Sequence, residues 1–107
     1  MARPKAKPPS NDILSVLKRA RKLIDKPEKF CKGWLAEDAN GNAVHISASH
    51  AKKFDLLGAC VRTDPDFIFP PELQTVFFEG NAAVFADTYG HELTLKALDE
   101  TIAYLEL

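Results

Sequence analysis

The sequence predicts a mainly α, single-domain bundle of four or five helices with a short β-hairpin or loop insertion. Apolar residues recur at steps of three and four in several separate stretches, which is the spacing of a helix face. Pro27, Pro65 and Gly80 close the first three of these stretches. The clearest turn signal for paired strands, Asn40-Gly41, lies between two short runs, "WLAED" and "AVHIS".

Taken in order, residues 1–9 carry Pro4, Pro8 and Pro9 among Arg3, Lys5 and Lys7. That composition reads as a flexible basic tail, leaving residues 10–107 as a single helical domain. Ser10, Asn11 or Asp12 can cap a first helix through a side-chain oxygen. Ile13, Val16, Leu17, Ala20, Leu23 and Ile24 form its apolar stripe, and Pro27 ends it. The insertion at 33–46 is expected to be a hairpin turning at Asn40 and Gly41. A small hairpin is marginal in water, and the indole of Trp34 is the expected buried anchor.

Ser47 or Ser49 is expected to cap a second helix bearing Ala51, Phe54, Leu57, Cys60 and Val61 on one face. Phe67, Ile68 and Phe69 form an apolar lead-in to a third helix that opens at Pro71 and exits at Gly80. Its inward residues are expected to be Leu73, Val76 and Phe77. A short helix is expected over 81–86, and "DTYGHE" reads as a turn. Leu95, Leu98, Ile102 and Leu105 define a last helix with Thr94 as its cap. The predicted core comprises Ile13, Leu17, Leu23, Trp34, Phe54, Leu57, Val76, Phe77, Leu98 and Ile102.

The net charge of −1 conceals an asymmetry. Residues 1–32 hold ten basic and three acidic side chains, a net +7, whereas residues 33–107 hold four basic and twelve acidic ones, a net −8. Such a split marks either a charged partner or an attraction between the two halves, and the second needs no partner. Lys18, Lys22 and Lys26 stack four apart on the first helix, where like charges repel mildly.

The order of the motifs resembles the bacterial domain of unknown function 6197 family. The segments that carry the resemblance are "LKRARKLIDKP", "FCKGWLAEDANG", "AKKFDLLGAC", "VFADTYG" and "LTLKALDETIAYL". The chain departs from the family pattern at Asp55, where the family prefers cysteine, and at Phe85-Ala86-Asp87, where it prefers Trp-Asn-Asp. The resemblance implies a small helical fold and assigns no chemistry.

Several functional classes find little support. Cys31 and Cys60 are too few for a disulfide framework and match no zinc spacing, so they read as free thiols. Cys31 or Asp87 with His45, His50 or His91 is the route to a small enzyme, and spacing alone does not bring them together, while Asp64/Asp66 and Asp99/Glu100 read as turn and surface acids. Cys31, His45, His50, Asp55, Asp87 and His91 are the candidate metal ligands, but His45 and His50 are five apart, and Asp87 and His91, though four apart, lie around Gly90, which does not suit the helical geometry of a metal site. No metal or cofactor is therefore expected. The glycines are too scattered for a phosphate loop. No apolar run spans a bilayer and no signal-type stretch follows the basic start, so the expectation is a cytoplasmic protein without membrane contact.

The function expected is that of a non-catalytic protein-binding or adaptor module acting through charged surfaces. The alternative is a nucleic-acid-associated accessory protein using the tail and the first helix. Either reading gives a macromolecular partner and places binding on Arg3, Lys5, Lys7, Lys18, Arg19, Lys22 and Lys26. Exposure of Phe67, Phe69, Phe78 or Tyr104 would add a homodimer.

Overall fold

A computed structural model describes residues 12–107. Arg3, Lys5, Lys7 and the boundary between tail and domain lie outside the described residues. The described part is mainly helical with one small antiparallel sheet. Helix α1 (Ile13–Leu23) is capped by Asp12, whose carboxylate accepts the Ser15 N–H at 2.7 Å. Val16, Leu17, Ala20 and Ile24 are fully buried, as the stripe predicts. Ile13 is exposed instead. Helical side chains lean toward the N-terminus, so a first-turn residue reaches past the packed part of its own helix. A short 3-10 turn, Pro27–Lys29, redirects the chain.

Strands β1 (Ala36–Glu37) and β2 (Lys53–Phe54) pair antiparallel, with Ala36 opposite Phe54 and Glu37 opposite Lys53. The regular partner of "WLAED" is thus not the predicted "AVHIS", which contributes a single bridge, Ala43 to Glu37, and a Val44 N–H bond to the Ala36 carbonyl. The turn itself lies where Asn40-Gly41 predicts it, in a different form. Gly41 is left-handed at φ +86° while Asn40 is not, and the Gly41 N–H bonds the Asp38 carbonyl at 3.1 Å. This is a three-residue loop that ends in a left-handed glycine. Asp38 holds it by accepting the Asn40 and Asn42 backbone N–H groups, each at 2.9 Å.

Trp34 does not anchor the insertion, because 58% of it is exposed. The buried residues there are Cys31 and Ala36. The attachment runs through the backbone: Cys31 N–H to the Phe54 carbonyl, Asp55 N–H to the Leu35 carbonyl, and Lys52 N–H to the Glu37 carbonyl. Helix α2 (Leu56–Thr63) lies close against this segment at Gly58. A Cβ on Gly58 would overlap the Leu35 carbonyl.

Asp55, not Ser47 or Ser49, caps α2, accepting the Gly58 N–H at 2.6 Å. Ala51 and Phe54 are buried as predicted, but from an extended segment. Their spacing imitated a helix because the apolar pattern runs unbroken through a strand-to-helix junction.

Helix α3 (Pro71–Phe77) opens at its proline as expected. Its inward side is set by Leu73, half-buried Phe77 and, just beyond, fully buried Phe78, while Val76 is 70% exposed. Successive helical residues turn by about 100°, which places position 76 on the far side of Leu73 from Phe77. Gln74 brackets the region, donating to the Phe69 carbonyl at 3.0 Å and accepting the Ala82 N–H at 2.8 Å. Phe67, Phe69, Phe78, Phe85 and Tyr89 form a relay of ring contacts, with centroids 4.6–5.7 Å apart. These are favourable tilted and edge-on geometries. The dimer patch expected at 67, 69 and 78 is therefore largely interior, with Phe69 and Phe78 buried and Phe67 half-buried. Tyr104 remains exposed.

Helix α4 (Ala82–Leu105) unites the predicted short and final helices across a kink. Asn81 caps it through the Val84 N–H. The expected turn at "DTYGHE" contracts to one residue, Gly90, at φ 84° and ψ −171°. Thr94 is no cap; it is buried beyond the kink, and its hydroxyl has no partner among the described residues. Thr63 and Thr101 bond the carbonyls four residues back. For Thr94 that residue is Gly90, which has left the helical path. Helix α1 packs against α2 and α4, and α4 also receives α2 and α3.

The Gly90 conformation is one that side chains rarely tolerate, although the space beside it is open. Gly90→Ala is therefore expected to cost about 1–3 kcal/mol in urea unfolding through backbone strain alone. An unchanged or higher midpoint would show that the kink does not hold in solution.

Candidate functional site

The basic face of α1 is partly answered within the molecule. Lys18 pairs with Glu106 at 2.6 Å, and Arg21 meets both oxygens of Asp99 at 2.8 and 3.3 Å. Arg19 reaches the Thr63 carbonyl at 3.5 Å. The charge asymmetry of the sequence thus serves, in part, to hold α1 against the end of α4. Of the candidate binding residues among those described, Lys18 and Arg19 are engaged within the fold. Lys22 and Lys26 are exposed, and neither forms an ion pair among the described residues.

Lys22 belongs to a pocket of about 290 Å³ between α1, the 3-10 turn, the segment leading into β2, and α2. Its cationic wall comprises Lys22, Lys29, Lys52 and Arg62; its apolar wall comprises Leu23, Ala51 and Phe54. Among the described residues no carboxylate lines it. Arg62 is fixed by its Nη1, which donates to the Ile46 and Ala48 carbonyls at 2.7 and 2.9 Å, and its guanidinium stands 5.5 Å from the Phe54 ring centroid. Lys29 has Asp25 beside it at 3.3 Å, an exposed pair of little strength.

Lys29, Lys52 and Arg62 are absent from the site residues that the sequence suggests, which stop at Lys26 in the N-terminal basic run. The sequence holds a signal for Lys52 and Arg62. The second half has only four cations, and Lys52, Lys53 and Arg62 fall within a short span. What the sequence lacked was the fold of 51–54 back toward α1.

The candidate enzyme groups are placed differently. The Cys31 thiol donates to the Trp34 carbonyl at 3.4 Å. Burial pushes it up to about 12, helped by the charges of Glu37, Asp55 and Asp87 against that of Lys53. A thiol so placed holds its proton at neutral pH and is a poor nucleophile. Cys60 is likewise pushed up to about 12 by burial, and both cysteines are free. Asp87 accepts the Gly33 N–H at 3.2 Å. His91 donates from Nε2 to the Ile24 carbonyl at 2.6 Å and packs on the Phe30 ring. It serves the C-terminus of α1, where carbonyls lack helical partners. His45 is hydrogen-bonded to Ser47. The described hydrogen bonds join no histidine to Cys31 or Asp87. Among the described residues no three or more His, Cys, Asp or Glu side chains gather as metal ligands, and no helix is long and apolar enough to cross a membrane.

No family model, curated protein or solved structure matches the chain.

The most perturbed carboxyl is Asp55, pushed up to about 6. Burial is the main cause and Asp87 adds to it, while the bond from the Gly58 N–H opposes both. Below about pH 4 the group is protonated whether the chain is folded or not. Between about 4 and 6 the folded form keeps a proton that the unfolded form releases, so the group's stabilising contribution is lost as pH rises through that window. Asp55→Asn keeps a capping oxygen and removes the charge. The variant is expected to gain on the wild type from pH 4 to 7, by at most about 3 kcal/mol, in paired denaturant titrations. A wild-type advantage that widens with pH would reverse this assignment.

Proposed function

We propose that the chain is a non-catalytic protein-binding module that engages an acidic partner through a cationic face. The observation that carries this reading is the contrast between two sets of basic residues. Lys18 and Arg21 are matched by carboxylates of α4. Lys22, Lys29, Lys52 and Arg62, drawn from both halves of the sequence, converge on one pocket that no carboxylate lines among the described residues, the exposed Asp25 beside Lys29 being a weak pair outside the lining. Bringing like charges together costs folding energy. An external anion offsets that cost, and association with an acidic surface is accelerated by the same field. The buried, protonated state of Cys31 and the engagement of His45 and His91 elsewhere favour binding over covalent chemistry.

The test is a titration with a fluorescent Asp/Glu-rich peptide and, separately, with a short DNA duplex, at low and at physiological salt. The peptide is expected to bind, to weaken with salt, and to lose roughly tenfold in affinity with the double variant Lys22→Glu, Lys52→Glu. Binding of the duplex alone would replace this reading with the nucleic-acid one. Binding of neither would overturn it.

A further inference from the structure

We propose that the pocket between α1 and α2 is a binding site for a phosphate monoester carried on an aromatic group. This rests on the reading of the cationic face given above and narrows it to one ligand chemistry. The charge of the wall argues for phosphate over carboxylate. Four cations line the pocket, one of them, Lys29, weakly paired with the exposed Asp25, and no acidic residue lines it among the described residues; a phosphate ester brings about −1.5 to −2 charges with three acceptor oxygens, where a carboxylate brings one charge. Three of the cations are lysines, whose mobile ammonium groups can converge on a tetrahedral anion.

The remainder of the lining argues for an ester over the free ion. Leu23, Ala51 and Phe54 form an apolar side, with Ala51 and Phe54 themselves buried in the core and hence fixed. Arg62 cannot swing freely, because two carbonyls hold it and it stands against the Phe54 ring. A pocket that places fixed apolar surface beside a cluster of cations is complementary to a ligand with an anionic head and a flat apolar body. The volume of about 290 Å³ suits a compact group of this kind. Such a group occurs on a phosphorylated tyrosine side chain or on a small aryl phosphate, and the two present the same chemistry to the pocket.

The experiment follows backbone amide shifts of the full chain during titration with phenyl phosphate, inorganic phosphate, phenol and a phosphotyrosine peptide. Phenyl phosphate is expected to shift the amides of Leu23, Lys52 and Phe54 and to bind about tenfold more tightly than inorganic phosphate, with phenol silent. Lys52→Gln and Lys22→Gln, both at exposed positions, should each weaken it several-fold while leaving the rest of the spectrum in place. Tighter binding of the phosphotyrosine peptide assigns the ester to a protein partner, and tighter binding of phenyl phosphate assigns it to a small molecule. Absence of pocket shifts at about 10 mM, where even a millimolar site is filled, overturns the proposal. Equal binding of phenyl and inorganic phosphate also overturns it. If the acidic peptide binds while phenyl phosphate leaves the pocket unperturbed, this inference fails and the broader reading of the cationic face stands.

Discussion

The structure depends on a close approach of backbone to backbone. The first turn of α2 rests on the segment that leads into β1, and at Gly58 the gap to the Leu35 carbonyl is too small for a Cβ. Around that contact the chain closes a small circuit. Leu35 accepts the Asp55 N–H, Asp55 turns its carboxylate onto Gly58, and Cys31 reaches across to the Phe54 carbonyl. An isolated two-residue strand pair has no independent stability. It persists here because α2 seals one side of it and because Ala36 and Phe54, its paired residues, enter the common core. The circuit also sets the direction of the segment at 51–54, and so decides that Lys52 faces the same pocket as Lys22 and Arg62.

That dependence explains which parts of the molecule were readable from the sequence. The helices with clean caps and unbroken spacing were legible: α1 with Asp12, α3 with Pro71, and the second half of α4 with Leu95 and Leu98. The turn at Asn40-Gly41 was legible in place but not in type, because the decisive group is Asp38, which gathers two N–H groups to one oxygen. For Trp34, side-chain size does not predict burial. Beside this contact the interior is filled by Cys31, Ala36, Phe54 and Leu56, and the indole lies on the surface. Residues 51–54 misled because a strand running straight into a helix can present apolar residues at helical spacing.

The candidate site was legible only in fragments. Lys22 is legible in the basic run, but Lys52 and Arg62 come from the other half of the chain and meet it only through the fold of residues 51–54. Lys18 and Arg19 are expected as binding residues from the sequence, whereas electrostatic attraction to α4 and a carbonyl of α2 engage them within the fold. Charge clusters in a sequence therefore divide, once folded, into pairs that stabilise the domain and remainders that face outward. The division can be made only with the geometry in hand. The same holds for Cys31 and the histidines, whose residue types suggest chemistry and whose neighbours are backbone carbonyls and a serine hydroxyl.

The most direct test of this account is the urea unfolding of Gly58→Ala. Helix propensity alone predicts that replacing a helical glycine by alanine raises stability by about 1 kcal/mol. The close approach to Leu35 predicts the opposite sign, a loss of roughly 1–3 kcal/mol or more as the backbone contact is forced apart. A lowered midpoint would establish that the contact governs the fold, and a raised one would contradict it.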